Sequence, residues 1–233
     1  MTQTMSNRRQ WLVPTALILL TLIPVAAGAD RATQLTTGAP VTPDNARFFA
    51  SPVPVMVHIV GASLYCVLGA LQFVPALRRR RPGWHRLAGR LIVPCGLAAA
   101  LSGLWMSLFY PRPVDVGNVL EGVRVVFGAA MVAFLVLGFV AVRRRDFGAH
   151  RAWMTRAYAI GLGAGTQAVT GIPWLLLVGP FDKLSKVIAM TAAWVLNLAV
   201  AEWAIRRGDA GRDAGRGADR RTGRRRIAQA PAV

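Results

Sequence analysis

Two stretches of this chain combine arginine and histidine in one arrangement. Arg78-Arg79-Arg80-Arg81-Pro82-Gly83-Trp84-His85-Arg86, followed by Arg90, joins two long apolar runs. Sixty-five residues later, Arg143-Arg144-Arg145-Asp146-Phe147-Gly148-Ala149-His150-Arg151, followed by Arg156, does the same. Two imidazoles at one level can bind a metal or ligate a haem axially. Zinc asks for three or four protein ligands, and the nearest extra oxygen donors are Asp146 and Glu202. The sequence has no His-x-x-His, Cys-x-x-Cys or Cys-x-x-Cys-His spacing. Anchoring of the loops through imidazole hydrogen bonds and arginine contacts to lipid phosphate is therefore preferred, and no cofactor or metal is assigned.

A second group lies inside the apolar runs, where ionisable side chains are costly and mark function by default. His58 falls about six residues into the second run, and Arg124 about six residues into the fourth. Glu121 precedes Arg124 by three positions, which puts both on one helical face as an ion pair. A polar cluster of His58, Glu121 and Arg124 would suit proton handling, a quinol or an anion, with imidazole as the titrating group. Against that stands the preferred structural reading, an internal salt bridge that neutralises Arg124, with His58 hydrogen-bonded to backbone. Asn197, and Gln167 with Thr166 and Thr170, are further polar positions that could equally tie helices together. Glu202 is within reach of Arg90, Arg151 or Arg156 as an ion-pair partner.

These residues must be held by membrane helices. The chain has 233 residues, 54% hydrophobic and 16% charged, with a mean hydropathy of +0.42. Soluble domains carry about 25% charged residues. Apolar runs cover about 11–29, 52–77, 87–109, 119–142, 152–178 and 185–205, each long enough to cross a bilayer at about 1.5 Å per residue. The first, after Arg8 and Arg9 and before Ala27-Gly28-Ala29, also resembles a signal peptide. A polar loop, 30–51, follows it. The expectation is an all-α, polytopic membrane protein of six transmembrane helices. Runs two with three and four with five form a duplicated hairpin, giving a four-helix core flanked by runs one and six.

The net charge of +18 would suit nucleic acid, but its distribution points elsewhere. Of 28 lysines and arginines, 22 fall in residues 1–10, 78–90, 143–156 and the tail after 205. Six crossings put all four on one side, which is the positive-inside asymmetry of a bacterial inner-membrane protein with both termini cytoplasmic. The partners expected are the bilayer and anionic lipid at the basic loops and tail, not nucleic acid. The tail, 206–233, is rich in Arg, Gly, Asp and Ala and reads as disordered. Cys66 and Cys95 sit in apolar runs and read as small hydrophobes.

Several segments together resemble a family. They are Pro52 to His58, Gly69-Ala70-Leu71-Gln72-Phe73, Pro82 to Arg90, His150 to Tyr158, and Trp194 to Glu202. Over roughly residues 50–205 the chain resembles the predicted bacterial membrane proteins grouped as domain of unknown function 2306. The resemblance implies fold and location, and no assigned activity. The His-bearing bundle is also loosely similar to di-haem membrane cytochromes such as cytochrome b561 and to ferric reductases, which pair histidines on facing helices. Here Val123-Arg124 stands where a partner for His58 would be. With no phosphate loop, nucleophile elbow or paired acidic motif, no catalytic residue is assigned. A small-ligand, lipid-binding or proton-handling membrane module leads; a haem- or quinone-linked electron-transfer protein and a small transporter are the alternatives.

Overall fold

The computed structural model describes residues 10–111 and 117–228, with side chains for all of these except 78 and 211–228. The segment 1–10, apart from Gln10, lies outside the described residues, as do Pro113 and its neighbours in the loop from Tyr110 to Asn118. The described chain is all helical. Its helices are α1 (Leu12–Thr37), α2 (Ala46–Ala50), α3 (Pro52–Gln72), α4 (Pro75–Arg80), α5 (Pro82–Phe109), α6 (Asn118–Arg143), α7 (Phe147–Gly161), α8 (Gly163–Leu177) and α9 (Lys183–Ala228). Six spans are long and apolar enough to cross a membrane, α7 and α8 together making the fifth.

The boundaries follow local chemistry. Prolines stand at the first position of α3, α4 and α5, where a missing amide donor is tolerated and φ is already helical. Pro75 ends the second run as a single helix: α3 stops at Gln72 and a separate short helix begins. Asp146 caps α7 by accepting from the Ala149 amide at 2.9 Å, so the fifth span starts at Phe147 rather than 152. Arg145, just before it, turns the chain at φ 60.

Three expectations are revised. The first run does not stop at Ala29. Gln34 donates to Asp30 at 2.7 Å and Arg31 donates to Gln34 at 2.6 Å, and these pairs along the helix carry α1 to Thr37. Gly38, with φ 69 in the left-handed region, then ends it. The loop expected over 30–51 is therefore mostly residues 38–45, and α2 occupies much of what remains. The fifth span is broken at Leu162, between α7 and α8. The tail expected to be disordered continues the backbone of α9 to Ala228. Alanine and arginine favour this helix while Gly208, Gly211, Gly215, Gly217 and Gly223 oppose it, and Asp209 accepts from Arg151 at 2.9 Å near the tail's start.

The tightest pairings are α3 with α5 and α6 with α7, with α5 against α6 between them. This is the duplicated hairpin arranged as a four-helix core. Helix α1 lies along α3 and α8, and α9 closes the other side against α7 and α8. At the centre, Tyr65, 1% exposed, packs with Ile92, Met131, Leu135 and Tyr158. Its ring is clasped by two glycines: a Cβ on Gly96 would come to 2.6 Å of the ring, and one on Gly161 to 2.7 Å. Lipid tails are as apolar as leucine, so such close packing, not burial from water, drives association here. The outer surface is correspondingly apolar, with Val53, Phe109, Val119, Phe139, Leu176 and Leu177 exposed, as a lipid-facing surface requires.

Candidate functional site

A cavity of about 600 Å³ opens among the six spans. That volume falls within the ~300–1,000 Å³ of small-molecule sites. Its walls are mainly apolar and aromatic, with Phe127 and Trp194 stacked at 4.8 Å and 21° along one side. His58, Glu121 and Arg124 all line it.

Each of the three is placed by its helix. His58 is the seventh residue of α3 and Arg124 the seventh of α6, so both sit about 9 Å in from a helix start. The His58 ring crosses to α5, where Nδ1 meets the Ala99 carbonyl at 2.8 Å. A carbonyl only accepts, so Nδ1 carries the hydrogen and the neutral ring keeps Nε2 as its acceptor. Gly103 makes room for the ring, since a Cβ there would stand 3.3 Å from it. Glu121 lies in the first turn of α6, where a negative charge is favoured by the helix dipole. Arg124 Nη1 donates to Glu121 Oε1 at 2.6 Å. Glu121 is 8% exposed, and its other oxygen, Oε2, is buried without a hydrogen-bond partner.

The end of the cavity nearest these residues is built from aromatic and cationic groups. Arg31 and Arg47 both lie over the Phe48 ring, at 4.8 and 4.7 Å, and Phe48 meets Tyr110 edge-on at 5.6 Å. Tyr110 donates its hydroxyl to the Ser51 carbonyl. Partial burial raises the Tyr110 phenol above its ordinary value, which keeps that donor protonated.

The arginine loops are elsewhere. His85 is the fourth residue of α5, while Ala99, the contact of His58, lies 14 positions further, or about 21 Å along the helix. His150 Nδ1 meets the Gly138 carbonyl at 2.8 Å. Arg156 Nε donates to Glu202 Oε1 at 2.5 Å and its guanidinium lies over Trp153. Arg151 pairs with Asp209. Arg86 and Arg90 are exposed. Asp146, weighed as an extra metal ligand, is the cap of α7. Among the described residues no group of three or more His, Cys, Asp or Glu could hold a metal. The cavity does not fit bis-histidine haem: His58 is the one histidine among its lining residues, and Arg124 holds the matching place on α6. His85 and His150 lie at the opposite end, where His150 is bonded to the Gly138 carbonyl.

Of the polar positions weighed as helix ties, Asn197, Thr166 and Gln167 join helices, while the Thr170 hydroxyl donates to the Thr166 carbonyl within α8. Asn197 donates to the Ala159 carbonyl at 3.1 Å and accepts from Thr166 at 2.9 Å, which spans the break at Leu162. Gln167 donates to the Met190 carbonyl. Tyr65 was missed by sequence reasoning. It lines the cavity and its hydroxyl is buried without a partner; a lone phenol within an apolar run was its one signal.

No curated protein and no solved structure matches the chain at a significant level. The model of the DUF2306 family, described as predicted membrane proteins, matches residues 55–205. That span includes α3 except its first turn, both hairpins, and α9 as far as the Glu202 tie, so this multi-pass membrane protein belongs to the DUF2306 family.

Proposed function

We propose that this protein is a membrane module that binds a small, mostly apolar ligand in the cavity between its helices. The observation that carries this is Glu121, a residue of the cavity wall whose Oε2 is buried without a hydrogen-bond partner. An unmatched buried acceptor is unfavourable by itself, and a ligand supplying a hydrogen-bond donor would offset that. The enclosing aromatic surface supports an apolar body for the ligand. The basic loops support a cytoplasmic location for both termini in a bacterial inner membrane. The exposed arginines Arg79, Arg80, Arg86, Arg143 and Arg144 suit anionic lipid headgroups there.

The test is extraction of small molecules from detergent-purified protein, compared between the wild type and Ala62→Trp. Ala62 is half-buried on the cavity wall, so the indole fills the space. A stoichiometric organic molecule in the wild type that is lost in the variant supports the reading. Equal extracts from both would count against it.

A further inference from the structure

The polar groups of the cavity also say what kind of headgroup it takes. On α6, Glu121 has given Oε1 to Arg124, and Oε2 is an acceptor with nothing to accept. On α3, His58 has committed Nδ1 to the Ala99 carbonyl, so the neutral ring keeps only an acceptor, Nε2. Two helices thus each bring to the wall of the same cavity a residue with an unused acceptor. Of the two arginines lining the cavity, Arg124 is neutralised by Glu121 and Arg47 lies over the Phe48 ring. An anionic headgroup would meet a carboxylate and an imidazole lone pair, both repulsive to it. An ether or ketone would leave both acceptors unmatched. A hydroxyl donates to such an acceptor while its own oxygen can accept from Arg124.

We propose that the ligand is an uncharged, hydroxyl-bearing amphiphile with a long apolar tail. A hydroquinone headgroup fits best, because it carries a hydroxyl on each side of a flat ring. Phe127 and Trp194 supply an aromatic wall for such a ring. One hydroxyl donates to Glu121 after a turn of the carboxylate about its last torsion, which is soft. The other donates to His58 Nε2. The inference rests on the reading of the cavity as a ligand site.

It is tested by titrating the full-length protein, released from detergent in a native mass spectrometer, with four probes. These are decyl hydroquinone, its dimethyl ether, dodecanol and dodecyl phosphate. Decyl hydroquinone is expected to bind about tenfold more tightly than its ether and than the phosphate, one unmatched hydrogen bond being worth roughly that factor. Glu121→Gln turns a donor toward the ligand and should reduce the preference to about threefold or less. His58→Phe removes the second acceptor and should reduce it as well, so one variant decides if the other fails to fold. Dodecanol binding as tightly as the hydroquinone would still support the hydroxyl requirement and name an aliphatic alcohol as its source. Phosphate or ether binding as tightly as the hydroquinone overturns the inference and leaves a ligand cavity standing. Binding of no probe, with no endogenous molecule on the wild type, overturns both.

Discussion

Glu121 gives one carboxylate oxygen to Arg124 at 2.6 Å and holds the other buried and unmatched. The pair is therefore complete as a charge and incomplete as a set of hydrogen bonds.

Removing either partner alone should destabilise the fold. Arg124 keeps a third of its side chain exposed, so Glu121→Ala is expected to cost about 1–3 kcal/mol, less than a fully buried pair would. Replacing both, with Glu121→Leu and Arg124→Leu, should recover most of the loss in thermal unfolding while abolishing ligand binding. A double variant that retains binding contradicts the site.

Tyr65 separates packing from polarity. Tyr65→Phe deletes a hydroxyl that has no partner and should change stability by less than about 1 kcal/mol. Gly96→Ala drives a methyl into the same ring and should cost about 1–3 kcal/mol by overpacking. Unfolding by denaturant checks both, and a larger loss in the phenylalanine variant would show that the hydroxyl is bonded.

Arg156 ties the fifth span to the sixth through Glu202 while lying over Trp153. A double-mutant cycle across Arg156 and Glu202 should give a coupling of about 0.5–1 kcal/mol. Arg156→Lys should restore less than half of it, since an ammonium reproduces neither Nε donation nor the flat stacking.

At the start of α9, Asp182 accepts from the Ser185 amide at 2.7 Å and from its hydroxyl. Those bonds hold the carboxyl below its ordinary value of 3.8. A lowered folded value means the cap is complete above that pH and is lost as pH falls through the lower value. The Ser185 amide shift in an NMR titration should move only on acidification below pH 3.8. Movement nearer neutrality would point to another group.

The architecture was legible because crossing a bilayer needs long apolar runs and a charge bias, and both are plain in composition. The Glu121–Arg124 pair was legible from its i, i+3 spacing, and the equal depth of His58 from the repeat. The Asp146 cap was not separated from a metal ligand, because a carboxylate before a turn serves either. The break at Leu162 was hidden within a run of uniform apolar character, and Asn197, which bridges it, became meaningful only with α9 in place. The cavity itself depends on how six helices splay, which no single run encodes. Its aromatic wall joins Phe127 and Trp194, 67 positions apart.

The paired histidines His85 and His150 invited haem, whereas the cavity is lined by one histidine, His58, which leaves it without a bis-histidine pair. Detergent-purified protein, oxidised and then dithionite-reduced, should give no sharp difference band. A stoichiometric haem band would require axial ligation by His58 or by His85 and His150, and ligation by His58 would displace the ligand-cavity account.

A ligand cavity beside Glu121 should hold a bound molecule in the purified protein. Native mass spectrometry of the intact protein, wild type beside Ala62→Trp, tests it most directly. The wild type should carry a one-to-one adduct that is absent from the variant at equal folded fraction. Two bare proteins, or an adduct that survives the filled cavity, would contradict it.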